Sequence, residues 1–214
     1  MKNLLICDCD EVLLHMVKHF GTWLDEAHAI DFDLAGGDFA TSMTRRDGVQ
    51  VEREDMWTML RQFFPNEMHR QTLVPYAAEA LERIAAQADI VILTNLHDEC
   101  RQPRIEQLAA FGIAHRVECN QGGKGEPVAR LVAEYGDPVT VFVDDLAVHH
   151  DSVARHAPQV HRLHMIAEPE LAVTMPPAPA ASVRIDDWRE AADWIEARFA
   201  AGLTATGARP KADA

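Results

Sequence analysis

Two acidic residues directly after an apolar segment have the clearest chemical potential in this chain. Asp8 and Asp10 come after the run Leu-Leu-Ile-Cys at positions 4–7. If that run is a buried β-strand, its side chains at i and i+2 point the same way, so both carboxylates can reach one ligand where the strand ends. Paired carboxylates at such a place suit a hard cation together with a phosphate group. Asp-x-Asp alone is also common in turns, so the prediction depends on polar residues elsewhere in the chain.

Further polar signals occur in a fixed order along the chain. Thr94 and Asn95 come directly after one apolar run, and Asp144 and Asp145 come directly after another. Between them, Lys124 lies in a glycine-rich segment that leads into a predicted helix. The carboxyl ends of parallel strands meet at one edge of a sheet, where ligands bind in open α/β folds. We therefore expect these side chains to converge on the first acidic pair.

This order of acidic pair, threonine, lysine and second acidic pair resembles the motifs of the haloacid dehalogenase superfamily of phosphohydrolases. The matches to its four motifs are residues 8–12 (Asp-Cys-Asp-Glu-Val, against Asp-x-Asp-x-Thr or Val), Thr94, Lys124, and Asp144 with Asp145. Glu11 departs from the pattern, because many relatives carry glycine at that position. The resemblance covers roughly residues 4 to 165.

The same residues can be assigned roles from their chemistry. Phosphoryl transfer needs an in-line nucleophile, a proton for the leaving oxygen and positive charge around the transferred group. Asp8 can attack phosphorus and form an aspartyl-phosphate, while Asp10 can protonate the departing alkoxide and later deprotonate the attacking water. Thr94 and the amide of Asn95 can hydrogen-bond the phosphoryl oxygens, and Lys124 supplies a neutralising ammonium.

The predicted metal site is built from oxygen atoms. Asp144 and Asp145 complete, with Asp8, a cage that suits Mg²⁺, which keeps the anionic nucleophile and the anionic substrate from repelling each other. The resemblance implies that Asp10 joins this site through its backbone carbonyl. The spacing leaves open which residue of the Asp144-Asp145 pair ligates the metal directly.

Composition narrows the classes of protein that the chain can represent. Its 214 residues can bury one substantial core and carry a small accessory module. The formal charge of −14 argues against a nucleic-acid surface. The first apolar run ends at Asp8 and is too short for an export signal, and no stretch is long enough to span a membrane. The four cysteines form no Cys-x-x-Cys pair, which argues against a cysteine-bound metal. We therefore expect a cytoplasmic protein that acts on a small phosphorylated molecule.

Alternating α and β signals predict a doubly wound, Rossmann-like parallel sheet, an α/β fold. The predicted strands are residues 3–8, 89–94, 115–118, 139–143 and 160–165. The predicted core helices are residues 77–86, 104–111, 128–135, 149–155 and 188–200. Residues 15–74 interrupt the alternation with two amphipathic helices joined by a loop at residues 34–48, which predict a small α-helical cap inserted after the first motif. The apolar period of the second helix comprises Met56, Trp57, Leu60, Phe63 and Phe64.

The core domain then comprises residues 1–14 and 75–200, in which residues 169–181, rich in proline and alanine, are expected to be extended. Residues 201–214 are expected to be a mobile tail.

Several functions share these motifs. A phosphomutase, or another phosphotransferase of the superfamily, differs from a phosphatase only in whether substrate or water captures the intermediate. Dehalogenases lack a second aspartate like Asp10, and a phosphonate-cleaving relative needs a cap lysine, for which Lys18 is the nearest candidate. Receiver domains carry the acidic pair first and the acceptor aspartate later, with no insertion after the first strand. A relative that only binds a phosphorylated ligand is disfavoured, because every reactive position is filled. Substrate identity and oligomeric state stay open.

Overall fold

The computed structural model describes residues 2–33 and 41–210. The strands within those residues are β1 Asn3–Cys7, β2 Leu14–His15, β3 Ile30–Phe32, β4 Met43–Arg45, β5 Thr72–Leu73, β6 Ala88–Thr94, β7 Arg116–Cys119, β8 Thr140–Asp144, β9 His161–His164 and β10 Val183–Arg184. The α-helices in the same part of the chain are α1 Val17–His28, α2 Arg53–Glu67, α3 Ala77–Ala85, α4 Arg101–Ala110, α5 Gly125–Glu134, α6 Ala147–His156, α7 Pro169–Thr174 and α8 Trp188–Ala201.

Six strands form one parallel sheet in the order β10-β9-β8-β1-β6-β7. Strand β1 lies inside this sheet, with β6 on one side and β8 on the other. The chain adds β6 and β7 on one side of β1 and then crosses to add β8 on the other. The predicted α/β fold is therefore confirmed. Its topological switch point, where ligands bind in such sheets, lies between the carboxyl ends of β1 and β8.

Both faces of the sheet are buried, which explains why its strands read as continuous apolar runs. Leu5 and Cys7 of β1 face an apolar cluster that includes residues of α3 and α8, while Leu4 and Ile6 face a second cluster that includes residues of α5 and α6. All four side chains are fully buried. The five predicted core strands each begin and end within one residue of the observed ones.

The helical unit between β2 and β5 has its own apolar cluster. Phe20, Trp23 and Leu24 of α1 pack there with residues of α2 that keep a helical period, namely Met56, Met59, Leu60 and Phe63. Trp57, which the sequence pattern also assigned to this face, is 47% exposed, because the buried stripe runs through Met59 instead. The unit also contains the antiparallel pair of strands β3 and β4, which lacks a clear sequence signal. Residues 34–40 of the predicted connecting loop lie outside the described residues.

Two features beyond β9 were not predicted by the sequence pattern. The segment expected to be extended contains α7, where Pro169 stands at the start of the helix, a position at which its missing N–H costs nothing. Strand β10 then pairs with the edge of β9. Of the expected tail, Ala205 donates a backbone hydrogen bond to Gln159, and residues 211–214 lie outside the described residues. None of the described helices is long and apolar enough to cross a membrane.

Close contact between α5 and α6 requires a glycine at position 125. A Cβ atom on Gly125 would lie 2.3 Å from the backbone oxygen of Ser152 and 2.5 Å from Nδ1 of His156. Alanine in place of glycine ordinarily stabilises a helix by about 0.5–1 kcal/mol. We expect Gly125→Ala to do the opposite and lower the free energy of unfolding by about 1–3 kcal/mol, because the two helices must separate. Urea unfolding measures this change, and a stabilised variant would contradict the close packing.

Candidate active site

The backbone brings the two acidic motifs to the same edge of the sheet. Asp8 comes directly after β1, and its backbone N–H donates to the carbonyl of Val143 over 2.9 Å. Asp144 is the last residue of β8, the strand that pairs with β1. Thr94 is the last residue of β6, which pairs with β1 on its other side. Three neighbouring strands therefore end in residues from three of the motifs.

Three carboxylates and one ammonium form the centre of this edge. Asp8, Asp144 and Asp145 each offer a carboxylate oxygen within 4.8 Å of the others. Lys124, which immediately precedes α5, lies between two of them, with Nζ 2.7 Å from Asp8 Oδ1 and 2.7 Å from Asp144 Oδ2. All four residues are buried. The ammonium bridges the nucleophile candidate and the metal-ligand candidate.

One ammonium cannot neutralise three buried carboxylates, and the pKa values of Asp8 and Asp145 are raised. Burial raises the pKa of Asp8 to about 7, against the attraction of Lys124. Burial, with the neighbouring carboxylate of Asp144, raises the pKa of Asp145 well above its ordinary value. Burial disfavours the ammonium of Lys124, but the carboxylates of Asp144 and Asp8 hold its pKa above the ordinary value. The cluster as a whole would be stabilised by additional positive charge.

The donor set fits a magnesium ion. Oδ1 of Asp8 is buried, and Nζ of Lys124 lies 2.7 Å from it. The three clustered side chains offer only oxygen, which hard cations prefer, and within the described part of the chain no histidine or cysteine belongs to the group. Asp144 is fixed in orientation, because its Oδ1 accepts a hydrogen bond from the backbone N–H of Leu146.

Two buried histidines hold the backbone of the second acidic pair. Nε2 of His150 lies 3.0 Å from the carbonyl oxygen of Asp144, and Nε2 of His164 lies 2.8 Å from the carbonyl oxygen of Asp145. A carbonyl only accepts, so each imidazole donates from Nε2. Burial lowers the pKa of both histidines, which favours these neutral rings. His150 is therefore a structural support and not a metal ligand in the described structure.

Asp10 makes a different set of contacts from the three clustered carboxylates. Nη2 of Arg104 donates to both of its oxygens, over 2.9 and 3.1 Å. Nε2 of Gln71 donates to Oδ1 over 2.6 Å, and the Thr94 hydroxyl donates to Oδ2 over a long 3.4 Å. Arg104 is fully buried on α4. Burial disfavours its charge, but the carboxylate of Asp10 holds its pKa above the ordinary value.

Asn95 lies at the exposed mouth of the site. Its Nδ2 donates to the carbonyl of Gly122 over 3.0 Å, and its Oδ1 accepts from Asn120 over 2.9 Å. The same Nδ2 lies 3.3 Å from Nε2 of His149. The side chain of Asn95 thus ties the loop after β6 to the loop that carries Lys124. The contact of Asn95 with a phosphoryl group stays a prediction.

Glu11, the departure from the sequence motif, adopts the conformation that glycine would favour. Its φ is 59°, in the left-handed region. Its buried carboxyl accepts hydrogen bonds from the backbone N–H groups of Met16 and Val17 over 2.7 and 2.6 Å, at the start of α1. Burial raises its pKa to about 7, although both hydrogen bonds favour the carboxylate. The substitution therefore keeps the turn and adds a cap for the helix.

Arg104, Gln71 and His164 are residues of this site that the sequence reasoning missed. Arg104 could have been noticed, because it lies four positions before Leu108 on the buried face of α4, where an arginine is unusual. Gln71 and His164 carry no comparable local signal. Their partners lie 61 and 19 positions away along the chain.

No family model matches the chain, and the search of curated proteins finds no match. Solved structures do resemble it. A haloacid dehalogenase-like hydrolase from Streptococcus pneumoniae is 11% identical, with a TM-score of 0.61, and the match covers 91% of this chain and 98% of that one. The protein YfnB of Bacillus subtilis, described as a HAD-hydrolase bound to magnesium, is 14% identical, with a TM-score of 0.63 and coverage of 91% and 98%.

A third similar structure is a protein from Haemophilus somnus described as a predicted phosphoglycolate phosphatase. It is 16% identical, with a TM-score of 0.57, and the match covers 91% of this chain and 96% of that one. Each match extends over nearly the whole of both chains. The chain therefore has the haloacid dehalogenase-like fold, as the resemblance of its motifs implied.

Proposed function

We propose that this chain is a Mg²⁺-dependent phosphohydrolase that cleaves a phosphate monoester of a small molecule through an aspartyl-phosphate on Asp8. The observation that carries the proposal is the position of Lys124, whose ammonium lies 2.7 Å from both Asp8 and Asp144 within a buried carboxylate cluster. Burying four ionisable groups at one sheet edge costs stability, and clusters of this kind occur mainly at functional sites. The fold shared with hydrolases of this class gives independent support.

In the proposed mechanism each residue has a defined task. A carboxylate oxygen of Asp8 attacks phosphorus, and the P–O bond to the leaving group breaks as the bond to Asp8 forms. Asp10 gives a proton to the leaving oxygen and takes one from the water that later hydrolyses the aspartyl-phosphate. The Thr94 hydroxyl and the Lys124 ammonium stabilise the charge on the phosphoryl oxygens. Lys124 also holds Asp8 in place for the attack.

A magnesium ion bound by Asp8, Asp144 and Asp145, with the backbone carbonyl of Asp10, would neutralise charge and bring the anionic substrate to the anionic nucleophile. The geometric support is the set of three carboxylate oxygens within 4.8 Å of one another. The overall charge of −14 makes this local positive charge necessary for an anionic substrate.

We also propose that residues 15–74 form a cap over this site. Their helices pack around a separate apolar cluster, centred on Phe20 and Phe63, whose rings lie 5.3 Å apart. A unit with its own core can keep its internal packing when it moves relative to the sheet. Such a cap would exclude water from the site and select substrates.

The test is phosphate release from a panel of phosphate monoesters, measured with the full chain. We expect turnover that a chelator abolishes and that added Mg²⁺ restores, since an all-oxygen site suits that ion. Chelator followed by excess Mg²⁺ controls for damage by the chelator. Restoration by Zn²⁺ but not by Mg²⁺ would contradict the metal assignment. Phosphate transfer between substrate molecules without release would instead identify a mutase.

A further inference from the structure

Burying the charged side chain of Arg104 costs the folded state free energy. Its guanidinium is fully buried on α4, on the same face as the apolar Leu108, and its Nε has no hydrogen-bond partner among the described residues. Replacing a buried ion pair by apolar residues of similar size is often neutral or stabilising. The stability of the core therefore does not explain why an arginine occupies this position. The explanation must come from the groups that its guanidinium contacts.

Those contacts form a closed ring around one carboxylate. Nη2 of Arg104 reaches both oxygens of Asp10, and Nη1 donates to Oε1 of Gln71 over 3.0 Å. Gln71 in turn donates to Asp10 Oδ1. Gln107, from the same helix as Arg104, accepts from Nη1 over 3.1 Å. Nη2 of Arg104 and Nε2 of Gln71 are thus two separate donors on the same carboxylate, and together they limit its rotation as well as its position.

The ring also joins three parts of the fold. Asp10 lies just after β1, Arg104 belongs to α4, and Gln71 lies just before β5, where the chain returns from the helical unit to the sheet. Nε2 of Gln107 donates to the carbonyl of Met68 on the same return segment. The orientation of Asp10 is thus fixed by the sheet, by a core helix and by the base of the helical unit together.

We propose that Arg104 is a positioning residue for Asp10, with Gln71 as the link that ties this carboxylate to the segment returning from the helical unit. The proposal rests on the proposed function, because it assigns Arg104 a role in that reaction through the proton transfers of Asp10. Asp10 then reaches the leaving oxygen in the orientation that the ring imposes. Without Arg104, the carboxylate can rotate about its side-chain bonds.

The first test is Arg104→Met, which keeps much of the volume and removes the donors. For an alkyl phosphate, whose leaving oxygen needs a proton, we expect kcat/KM, which reports the steps up to departure of the leaving group, to fall by about a hundredfold, the scale for a misplacement of about 1 Å. For p-nitrophenyl phosphate, whose leaving group departs without a proton, the loss should be smaller. Arg101→Met is the matched control, since Arg101 lies on the same helix and donates to Val117 instead.

The deciding test is a double-variant cycle measured with p-nitrophenyl phosphate. If Arg104 acts through Asp10, then Arg104→Met combined with Asp10→Asn should be no slower than Asp10→Asn alone. Arg104→Lys, which keeps the charge but cannot contact Asp10 and Gln71 with two separate nitrogens, should recover part of the lost rate. Losses that add in the double variant, or equal losses of kcat/KM for both leaving groups, would overturn the proposal.

Two further measurements distinguish failure of the positioning role from a misfolded variant and from failure of the proposed function. If Arg104→Met does not fold, Gln71→Met makes the same test, because it removes the 2.6 Å bond and leaves the Arg104–Asp10 ion pair in place. A loss that disappears in the Asp10→Asn background supports the ring, and an additive loss overturns it. A wild-type chain that releases no phosphate from any ester would overturn the proposed function, whereas additive losses in an active enzyme overturn only the positioning role.

Discussion

Asp8→Asn is expected to lower turnover by at least about a thousandfold while the chain stays folded. The amide has almost the shape of the carboxylate but cannot attack phosphorus. Phosphate release, measured at saturating substrate and Mg²⁺, gives the rate. A variant that keeps more than about a tenth of the wild-type rate would contradict the nucleophile assignment.

The same variant should be as stable as the wild-type chain or more stable. Burial raises the pKa of Asp8 to about 7, which shows that the fold holds this carboxylate at a cost in free energy. Asparagine removes one of three clustered carboxylates and leaves Lys124 paired with Asp144. Residues kept for function at the expense of stability behave in this way. Urea unfolding in the presence of chelator measures the difference.

Asp151→Asn provides the matched control for Asp8→Asn. Asp151 is an exposed residue of α6, and the variant makes the same chemical change at a short distance along the chain from the second acidic pair. We expect turnover to remain within about twofold of wild type and stability within about 0.5 kcal/mol. A large loss of turnover in this control would mean that removal of negative charge near the site, and not loss of the nucleophile, explains the effect of Asp8→Asn.

The sequence was sufficient to predict five of the six strands of the sheet and the meeting of the motifs at its edge. Strands buried on both faces are continuous apolar runs, so β1, β6 and β8 could be located to within one residue. Parallel strands end at one edge, so a residue at the end of each of them must approach the others. The proximity of Asp8 to Asp144 results from that rule, because β1 and β8 are neighbours.

The contacts of individual side chains could not be predicted in the same way. The pairing of Asp10 with Arg104 joins residues 94 positions apart and depends on how α4 packs against the sheet. The side-chain hydrogen bond of Asn95 to the carbonyl of Gly122 joins residues 27 positions apart and was likewise not predicted. The role of Glu11 was not predicted either. Its carboxyl accepts hydrogen bonds from the first N–H groups of α1, so its role depends on where that helix begins. The spacing of apolar residues indicates which face of a helix or strand is buried. It does not indicate which polar group a side chain on that face contacts.

Lys124→Met is expected to remove both activity and stability, in contrast to Asp8→Asn. Lys124 is fully buried, and its ammonium contacts two of the three clustered carboxylates. Breaking a buried ion pair by removing one partner typically costs about 3–5 kcal/mol, because the remaining charge is left uncompensated. We expect a loss of that size in urea unfolding with chelator present, and turnover lower by at least about a hundredfold.

The control for this variant is Lys18→Met, which removes the same charge from an exposed position on α1. We expect its unfolding free energy to change by less than about 0.5 kcal/mol. Both variants lower the positive charge of an already acidic chain equally. A comparable loss in the two would therefore assign the effect to overall charge, and would contradict a special role for the buried ammonium.

Magnesium should distinguish the electrostatic explanation from simple loss of packing. A cation that binds the folded state stabilises it in proportion to the logarithm of its concentration over its dissociation constant. Without Lys124, the carboxylates of Asp8 and Asp144 repel each other more strongly, so bound Mg²⁺ relieves more repulsion than in the wild-type chain. We expect saturating Mg²⁺ to raise the unfolding free energy of Lys124→Met more than that of wild type, while turnover stays low because the phosphoryl group still lacks its ammonium. An equal increase in both chains would mean that the ammonium and the ion do not share these carboxylates.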